Sequence, residues 1–423
     1  MLDIKAICNN PEYFKVSLKR KGVDPLLIDN ILTSYNARNK LLQKIENIKY
    51  QQNKISETII NLENEEKNKV LEDMKKLAEE KKKLEKELAN ENEIYTNMMD
   101  DLPNPPFDSA PDGDSDAENI VVRQEGEKPT FSFQPKEHWE LGVDLDILDI
   151  ERASKVSGTR FYYLKNELAI LQRALAQWAF MEVIKKGYNA IIPPFLTRKE
   201  AIYGTGYLAK GENYIVNPNE DDLYLIGTSE VPVTSYYADE IIDLSNGPKK
   251  FVSYSPCFRK EAGSSGKDTK GILRVHQFEK IEMVIFCTPE QSDVMHEEIR
   301  EIEEYLLQQL GIPYQVINVC CGDLGNSAVK KYDIEAWLPG QNKYREMTST
   351  SICTDFQSRR LNIRYKTKED KNEYVHTLNG TAVSSRPLIA IMENFQNEDG
   401  SIDIPKVLQP FCGFRKIETM KHQ

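Results

Sequence analysis

The 423-residue chain contains no apolar run approaching the ~18–20 residues that cross a bilayer, which excludes a helical membrane span. Its opening residues, Met1 to Lys5, lack the charged-then-apolar pattern of a secretory signal. Cysteine is sparse: seven residues, an odd number, with no C-x-x-C pair. That argues against a disulfide framework and a zinc ribbon and suits a reducing cytosol. There is no Gly-x-Gly-x-x-Gly, no Gly-x-x-x-x-Gly-Lys-Ser/Thr and no Gly-x-Ser-x-Gly. Any nucleotide handled here is therefore handled without a Rossmann turn or a P-loop. Basic charge is also in deficit, with 55 Lys+Arg against 67 Asp+Glu and a net charge of −12. Binding through an overall basic surface is excluded, whereas a local basic stripe is not. With 40% hydrophobic and 29% charged residues, the composition is that of a globular, cytoplasmic, multi-domain protein with no membrane association.

Helix breakers are missing from one long stretch. No Pro or Gly occurs from Leu26 to Leu102, and apolar residues recur at alternating steps of three and four. Ile28, Ile31, Tyr35, Leu42, Ile45, Ile48, Ile55, Ile59 and Leu62 form one series; Val70, Met74, Leu77, Leu84, Leu88, Tyr95 and Met98 form the other. The polar run Glu63 to Lys69 separates them. The pattern predicts two long helices folded back as an antiparallel coiled-coil hairpin over about 28–100. Gln52, Lys81 and Glu91 fall at or near its seam and weaken it. Such a hairpin serves equally as an oligomerisation device or a ligand-binding arm, and charge tilts the choice. Between Ile31 and Ile60, Arg38, Lys40, Lys44, Lys49 and Lys54 stand against Glu46 and Glu57 only, a local balance of +3 that hints at a polyanion partner.

The chain therefore divides into an N-terminal domain, 1–100, a linker or surface loop, 101–136, rich in Pro, Asp and Gly, and a body, 137–423, where strands and helices alternate. In the body, Ser157 to Gly187 reads as one long helix, and Ala190 to Phe195 follows as an extended run. The chemistry concentrates further on, in Phe251-Val-Ser-Tyr-Ser-Pro-Cys-Phe-Arg259-Lys-Glu261, a Gly- and Ser-rich stretch to Gly266, and Arg274-Val-His-Gln-Phe278-Glu-Lys-Ile-Glu282. Two extended segments around such a loop form an antiparallel hairpin, with Arg259 and Glu261 on one face. Arginine suits a phosphate, the carboxylate two residues on suits an exocyclic amine, and Phe278 suits stacking on a base. Alone, Phe-Arg-x-Glu fits an exposed cross-strand pair. Set in its hairpin, with a second Arg and a Phe opposite, it fits a nucleotide clamp better. His276 reads as a structural hydrogen-bonding residue and Cys320–Cys321 as small buried ones.

The hairpin resembles motif 2 of the class II aminoacyl-tRNA synthetases, and its wording is similar to the bacterial-type seryl-tRNA synthetase family. The resemblance runs along almost the whole chain. Gly187 to Pro194 is similar to motif 1, which in the family builds the dimer interface. Leu225-Ile-Gly-Thr228-Ser-Glu230 resembles the segment that recognises serine. Asn379-Gly-Thr381-Ala-Val-Ser-Ser-Arg386-Pro-Leu resembles motif 3, although the step from Thr381 to Arg386 is one residue shorter than the family pattern and Pro387 follows directly.

What the resemblance implies is an α+β protein: a long antiparallel coiled-coil arm, then an antiparallel β-sheet catalytic domain flanked by helices. It implies a serine–tRNA ligase that uses ATP and Mg²⁺, works as a homodimer, and grips tRNA(Ser) through the arm, with tRNA(Sec) also a substrate where present. Arg259 and Arg386 are the implied catalytic cations. Arg259, Glu261, Arg274, Phe278, Glu346, Ser349 and Arg386 would bind ATP, with Glu346 and Ser349 also holding Mg²⁺. Thr228, Glu230, Arg259, Glu282, Asn379 and Thr381 would bind L-serine. A site built to bond a hydroxyl rejects alanine by ~10⁴-fold, because its polar groups are otherwise left unpaired. Two rival readings are a paralogue that loads a non-tRNA acceptor and a non-catalytic coiled-coil protein. The full-length arm argues against the first; the intact Arg259, Glu261, Arg274, Glu346 and Arg386 argue against the second.

Overall fold

A computed structural model describes residues 1–59, 63–207, 223–261 and 270–418. The chain forms two compact units, Met1–Pro105 and Pro106–Gln423.

In the first unit, two short helices precede α1 (Leu26–Thr58) and α2 (Asn64–Asp100), of 33 and 37 residues. At 1.5 Å per residue they run roughly 50–55 Å. They are antiparallel, as the breaker-free pattern predicts: Tyr35 faces Tyr95, and Ile45, Ile48 and Leu84 form a buried seam joined by Leu41, Leu77 and Leu88. Leu41 takes the seam position expected of Leu42, and Met99 rather than Met98 is fully buried, a drift of one residue that three-four spacing cannot resolve. Glu91 does sit in the seam, where it accepts the Ser34 hydroxyl, while Arg38 Nε donates to Asn92 at 2.6 Å. The polar run from Glu63 is the first turn of α2, with Glu65 and Glu66 at its positive end. Ile60 to Leu62 lie outside the described residues.

The second unit is built on an eight-stranded sheet: β1 (Ile120–Glu125), β2 (Asn189–Ile191), β3 (Lys249–Phe258), β4 (Gln277–Cys287), β5 (Tyr314–Asn318), β6 (Lys330–Leu338), β7 (Lys343–Thr354) and β8 (His376–Ser384). Spatial order is β1-β5-β6-β7-β8-β4-β3-β2, and every pairing is antiparallel except β2 with β3. The 101–136 stretch is not detached from this body. Phe107 N–H donates to Val329 O at 2.9 Å, and β1 forms the sheet's edge. Its Pro and Asp content prevents a helix without preventing strand pairing.

The single helix expected over Ser157–Gly187 is shorter at its start, because Gly158–Lys165 is not helical and a separate helix precedes it. That preceding helix, Ile150–Ser157, stops at Gly158, whose φ of +94° ends it. Tyr163–Leu164 then pairs as a strand with Leu148–Asp149, and α3 spans Asn166–Lys185. Leu168, Leu171, Leu175 and Trp178 form its buried face as expected, and Gly187 follows at φ +92°. A further helix, α4 (Ser292–Leu310), packs on the sheet through His296, Ile299 and Glu303.

Two contacts on α4 give measurable consequences. Gly380 of β8 lies so close that an added Cβ would stand 2.2 Å from Ile299 and 2.7 Å from Glu303 Oε1. Gly380→Ala should lower stability by ~1–3 kcal/mol, read as a fall in thermal midpoint. His296 is wholly buried; its Nε2–H donates to Thr350 O at 3.1 Å and its ring stacks on Tyr332. Burial pushes its pKa from 6.5 down to about 4, so the fold favours the neutral ring. Its stabilisation is complete above about pH 6.5 and is lost as pH falls toward 4, by up to ~3 kcal/mol. Denaturation of His296→Gln at pH 7 and pH 4.5 should show a shallower pH dependence than the parent.

Candidate active site

The hairpin of β3 and β4 carries the motif singled out by sequence. Its strands pair to Phe258 and Gln277, and beyond them Arg259 N–H donates to His276 O at 2.9 Å. The Gly- and Ser-rich loop, 262–269, lies outside the described residues. His276 is structural, as read: its Nδ1 donates to Arg259 O at 2.8 Å. Residues at alternate positions of β4 share a face, so Phe278, Lys280 and Glu282 all reach one cavity of about 650 Å³. Arg259, Glu261, Arg274, Glu346, Ser349, Asn379, Thr381, Arg386 and Glu230 also line it.

Two irregularities aim these side chains. Strict alternation along β7 would put Glu346 and Ser349 on opposite faces. The pairing of β6 with β7 shifts register between Ile334 and Glu335, which takes up Met347 as the extra residue. That bulge turns Ser349 to the same cavity as Glu346, while Thr348 donates to Glu303 on α4 at 2.9 Å. On β8 the register shifts between Thr381 and Val383, just before the strand ends at Ser384. The helix Arg386–Asn394, α5, starts at once with Pro387 in its first turn, where a missing N–H costs nothing. The short path from Thr381 thus still delivers Arg386 to the cavity.

Four clusters of side chains result. Arg386 Nη1 binds the Glu346 carboxylate at 2.9 Å and the Glu346 carbonyl at 3.0 Å. Partial desolvation pulls the Glu346 carboxyl upward, but Arg386, Lys331 and Arg259 outweigh it and hold its pKa well below the usual carboxylate range. Arg274 Nη1 meets Glu261 Oε2 at 3.0 Å, and Arg259 lies over the Phe278 ring at 5.3 Å. Glu261 has φ +49°, a left-handed conformation unusual for a non-glycine and typical of functional sites.

The other two clusters hold buried carboxylates. Glu230 accepts from Asn379 Nδ2 at 3.0 Å, Gln357 Nε2 at 2.8 Å and the Tyr207 hydroxyl at 2.5 Å. Burial raises its pKa against the lowering effect of the Tyr207 and Gln357 donors. Glu282 Oε2 accepts from Lys280 Nζ at 2.7 Å and Thr381 Oγ1 at 3.1 Å. Cations and an aromatic ring beside ionised carboxylates suit a polyphosphate nucleotide and a zwitterion in one cavity.

Thr228 alone of the sequence-derived residues does not line the cavity. It is buried, and its hydroxyl accepts the backbone N–H of Glu230 at 3.2 Å. Sequence reading missed Tyr207, Lys280, Lys331 and Gln357. Lys280 carried a signal, since it alternates with Phe278 and Glu282; Tyr207 and Gln357 come from distant segments with no local pattern.

Two family models match the chain. A family model described as the seryl-tRNA synthetase N-terminal domain matches residues 1–106, and one for the class II tRNA synthetase core domain (G, H, P, S and T) matches residues 210–395. The serine–tRNA ligase of Treponema denticola is 42% identical over 99% of this chain and 100% of its own length. That of Dictyoglomus turgidum is 44% identical, covering 100% of both chains. Among solved structures, the crystal structure of seryl-tRNA synthetase from Pyrococcus horikoshii complexed with ATP aligns with a TM-score of 0.92 at 40% identity, covering 100% of both chains. Cytoplasmic serine–tRNA ligase from Naegleria fowleri, in complex with AMP, aligns at 0.85 and 33% identity over 97% of this chain and 96% of that one.

Proposed function

The chain belongs to the seryl-tRNA synthetase family, whose members ligate serine to tRNA, and on that premise we propose how its cavity divides the work. The ligation begins when the serine carboxylate attacks the α-phosphorus of ATP; the new P–O bond forms as the bond to the β-phosphate oxygen breaks and pyrophosphate leaves. Charge develops on phosphoryl oxygens, so positioned cations supply most of the catalysis and no protein nucleophile is needed. Arg259 holds the α-phosphate and the serine carboxylate. Arg274 and Arg386 take the outer phosphates, exchanging their present carboxylate partners for phosphate oxygens. Glu261 accepts from the adenine amine, and Phe278 stacks on the ring. Glu230 receives the serine ammonium, and Glu282, Asn379 and Thr381 surround its side chain; Thr228 acts by fixing the Glu230 backbone.

Magnesium suits the donor set. Glu346 is held ionised, with Ser349 turned to the same cavity, and Mg²⁺ characteristically takes one or two carboxylates plus substrate phosphates. No group of three or more His, Cys, Asp or Glu among the described residues could hold a metal by itself, which fits a cation that arrives with ATP. When bound there, Mg²⁺ would neutralise phosphate charge; the chain's own part is to present Glu346 and Ser349 on one wall of the cavity.

The observation that carries this reading is the pairing of two buried carboxylates with hydroxyl and amide donors beside an arginine-rich wall in one cavity. The basic residues along α1 are what the arm offers to tRNA(Ser). Two copies associate through the segment around Gly187 to Pro194 and α3, where Ile170, Met181 and Ile192 are exposed apolar side chains. All seven cysteines are free thiols, which agrees with a cytoplasmic setting, and no helix among the described residues is long and apolar enough to cross a membrane.

Purified chain should catalyse serine-dependent exchange of pyrophosphate into ATP, with threonine and alanine poorly used; exchange with a different amino acid, or none, overturns the assignment. Arg259→Ala should reduce exchange by ~10²–10³-fold or more with the circular-dichroism spectrum unchanged. Replacing residues 31–98 by a short turn should leave exchange intact while abolishing transfer to tRNA. Equal loss of both would show that the arm is needed for folding rather than for tRNA.

A further inference from the structure

The two carboxylates of the serine pocket are not equivalent. Glu230 is held by Tyr207, Gln357 and Asn379, all neutral donors. Glu282 is held by a full cation, Lys280, whose ammonium is 2.7 Å from Oε2, together with the Thr381 hydroxyl on the same oxygen. Lys280 is itself buried, only 7% exposed, and lysine is rarely enclosed unless paired. It occupies the middle position of Phe278, Lys280 and Glu282 on one face of β4, so it enters the cavity by strand geometry.

An incoming amino acid brings one ammonium. Coulomb attraction in an enclosed site directs it to the carboxylate whose charge is not already compensated, which is Glu230. Glu282 keeps hydrogen-bond acceptor capacity but has its charge matched, which suits a neutral hydroxyl.

We propose that Lys280 is the positioning residue that divides the pocket into an ammonium subsite at Glu230 and a neutral-hydroxyl subsite at Glu282, and that it thereby excludes amino acids whose side chain ends in a cation. This rests on the serine-binding reading above. Lys280 acts through Glu282 and needs no contact with the reacting atoms. Removing its charge leaves Glu282 an uncompensated anion that favours a second ammonium over a hydroxyl.

L-2,3-diaminopropionate, which carries an amine where serine carries its hydroxyl, is the probe. Pyrophosphate exchange is measured with full-length wild type, Lys280→Met and Lys280→Arg on both amino acids. Lys280→Met should lose about 10–100-fold in kcat/KM for serine and keep KM for ATP within ~3-fold. Its preference for serine over diaminopropionate should narrow by ~10-fold or more, whereas Lys280→Arg should keep the wild-type preference. A Met variant with unchanged preference, or with KM for ATP rising in parallel with that for serine, overturns the proposal. Wild type gives a test that needs no variant. Exchange with diaminopropionate relative to serine should rise with pH as the side-chain amine loses its proton, and a flat ratio overturns the proposal. Failure of wild type to exchange with serine at all would instead sink the functional reading.

Discussion

Holding several ionised carboxylates in one enclosed cavity is the constraint on which this structure depends. An uncompensated buried charge costs several kcal/mol, so Glu230 and Glu282, both buried, need donors in fixed places, while the more exposed Glu346 is met by Arg386. The donors come from different strands and helices: Asn379 and Thr381 from β8, Lys280 from β4, Arg386 from the start of α5, Tyr207 and Gln357 from outside the sheet. No single hairpin could supply them. The antiparallel sheet is therefore the part that makes the chemistry possible, because it sets β7, β8 and β4 side by side with their polar residues on one face. On the other face, α4 closes the core, so closely that any side chain larger than glycine at position 380 must displace Ile299 or Glu303.

Bulges matter as much as strands. A regular strand offers every second residue to a ligand, whereas Glu346 and Ser349, which line one cavity, are three apart. The extra residue at Met347 reconciles the two periods. The register shift at Thr381 likewise ends one strand and starts one helix within a few residues, which is how a shortened segment still carries Arg386 to Glu346.

This explains which parts of the molecule were legible in the sequence. Arg259 and Glu261, which line the cavity from one contiguous stretch, were legible because strand alternation already puts them on one face. The long arm was found because absence of Pro and Gly over a helical period has few other meanings, though the seam drifted to Leu41 and Met99. The late start of α3 was missed because Leu164 continues its apolar spacing backwards, while the positive φ of Gly158, which ends the preceding helix, leaves only a lone glycine as its trace. Tyr207 and Gln357 were invisible for a different reason. Their role exists only once Glu230 is buried, and a buried carboxylate recruits donors by proximity in space, not in sequence.

Overall acidity has the same local resolution. The net charge of −12 describes the chain, but a charge acts over roughly 8–10 Å at physiological salt. The five basic and two acidic residues from Arg38 to Glu57 are spread along roughly 30 Å of α1, several screening lengths, so they act residue by residue on whatever lies alongside. Weak, distributed attraction of that kind steers a long polyanion without trapping it, and the acidic remainder of the chain suppresses nonspecific binding elsewhere. Inside the cavity the same screening is absent, and one lysine against one glutamate is enough to set which substrate group goes where. On the proposed reading, the arm would sum many weak charges in water, whereas the pocket fixes a few strong ones out of it.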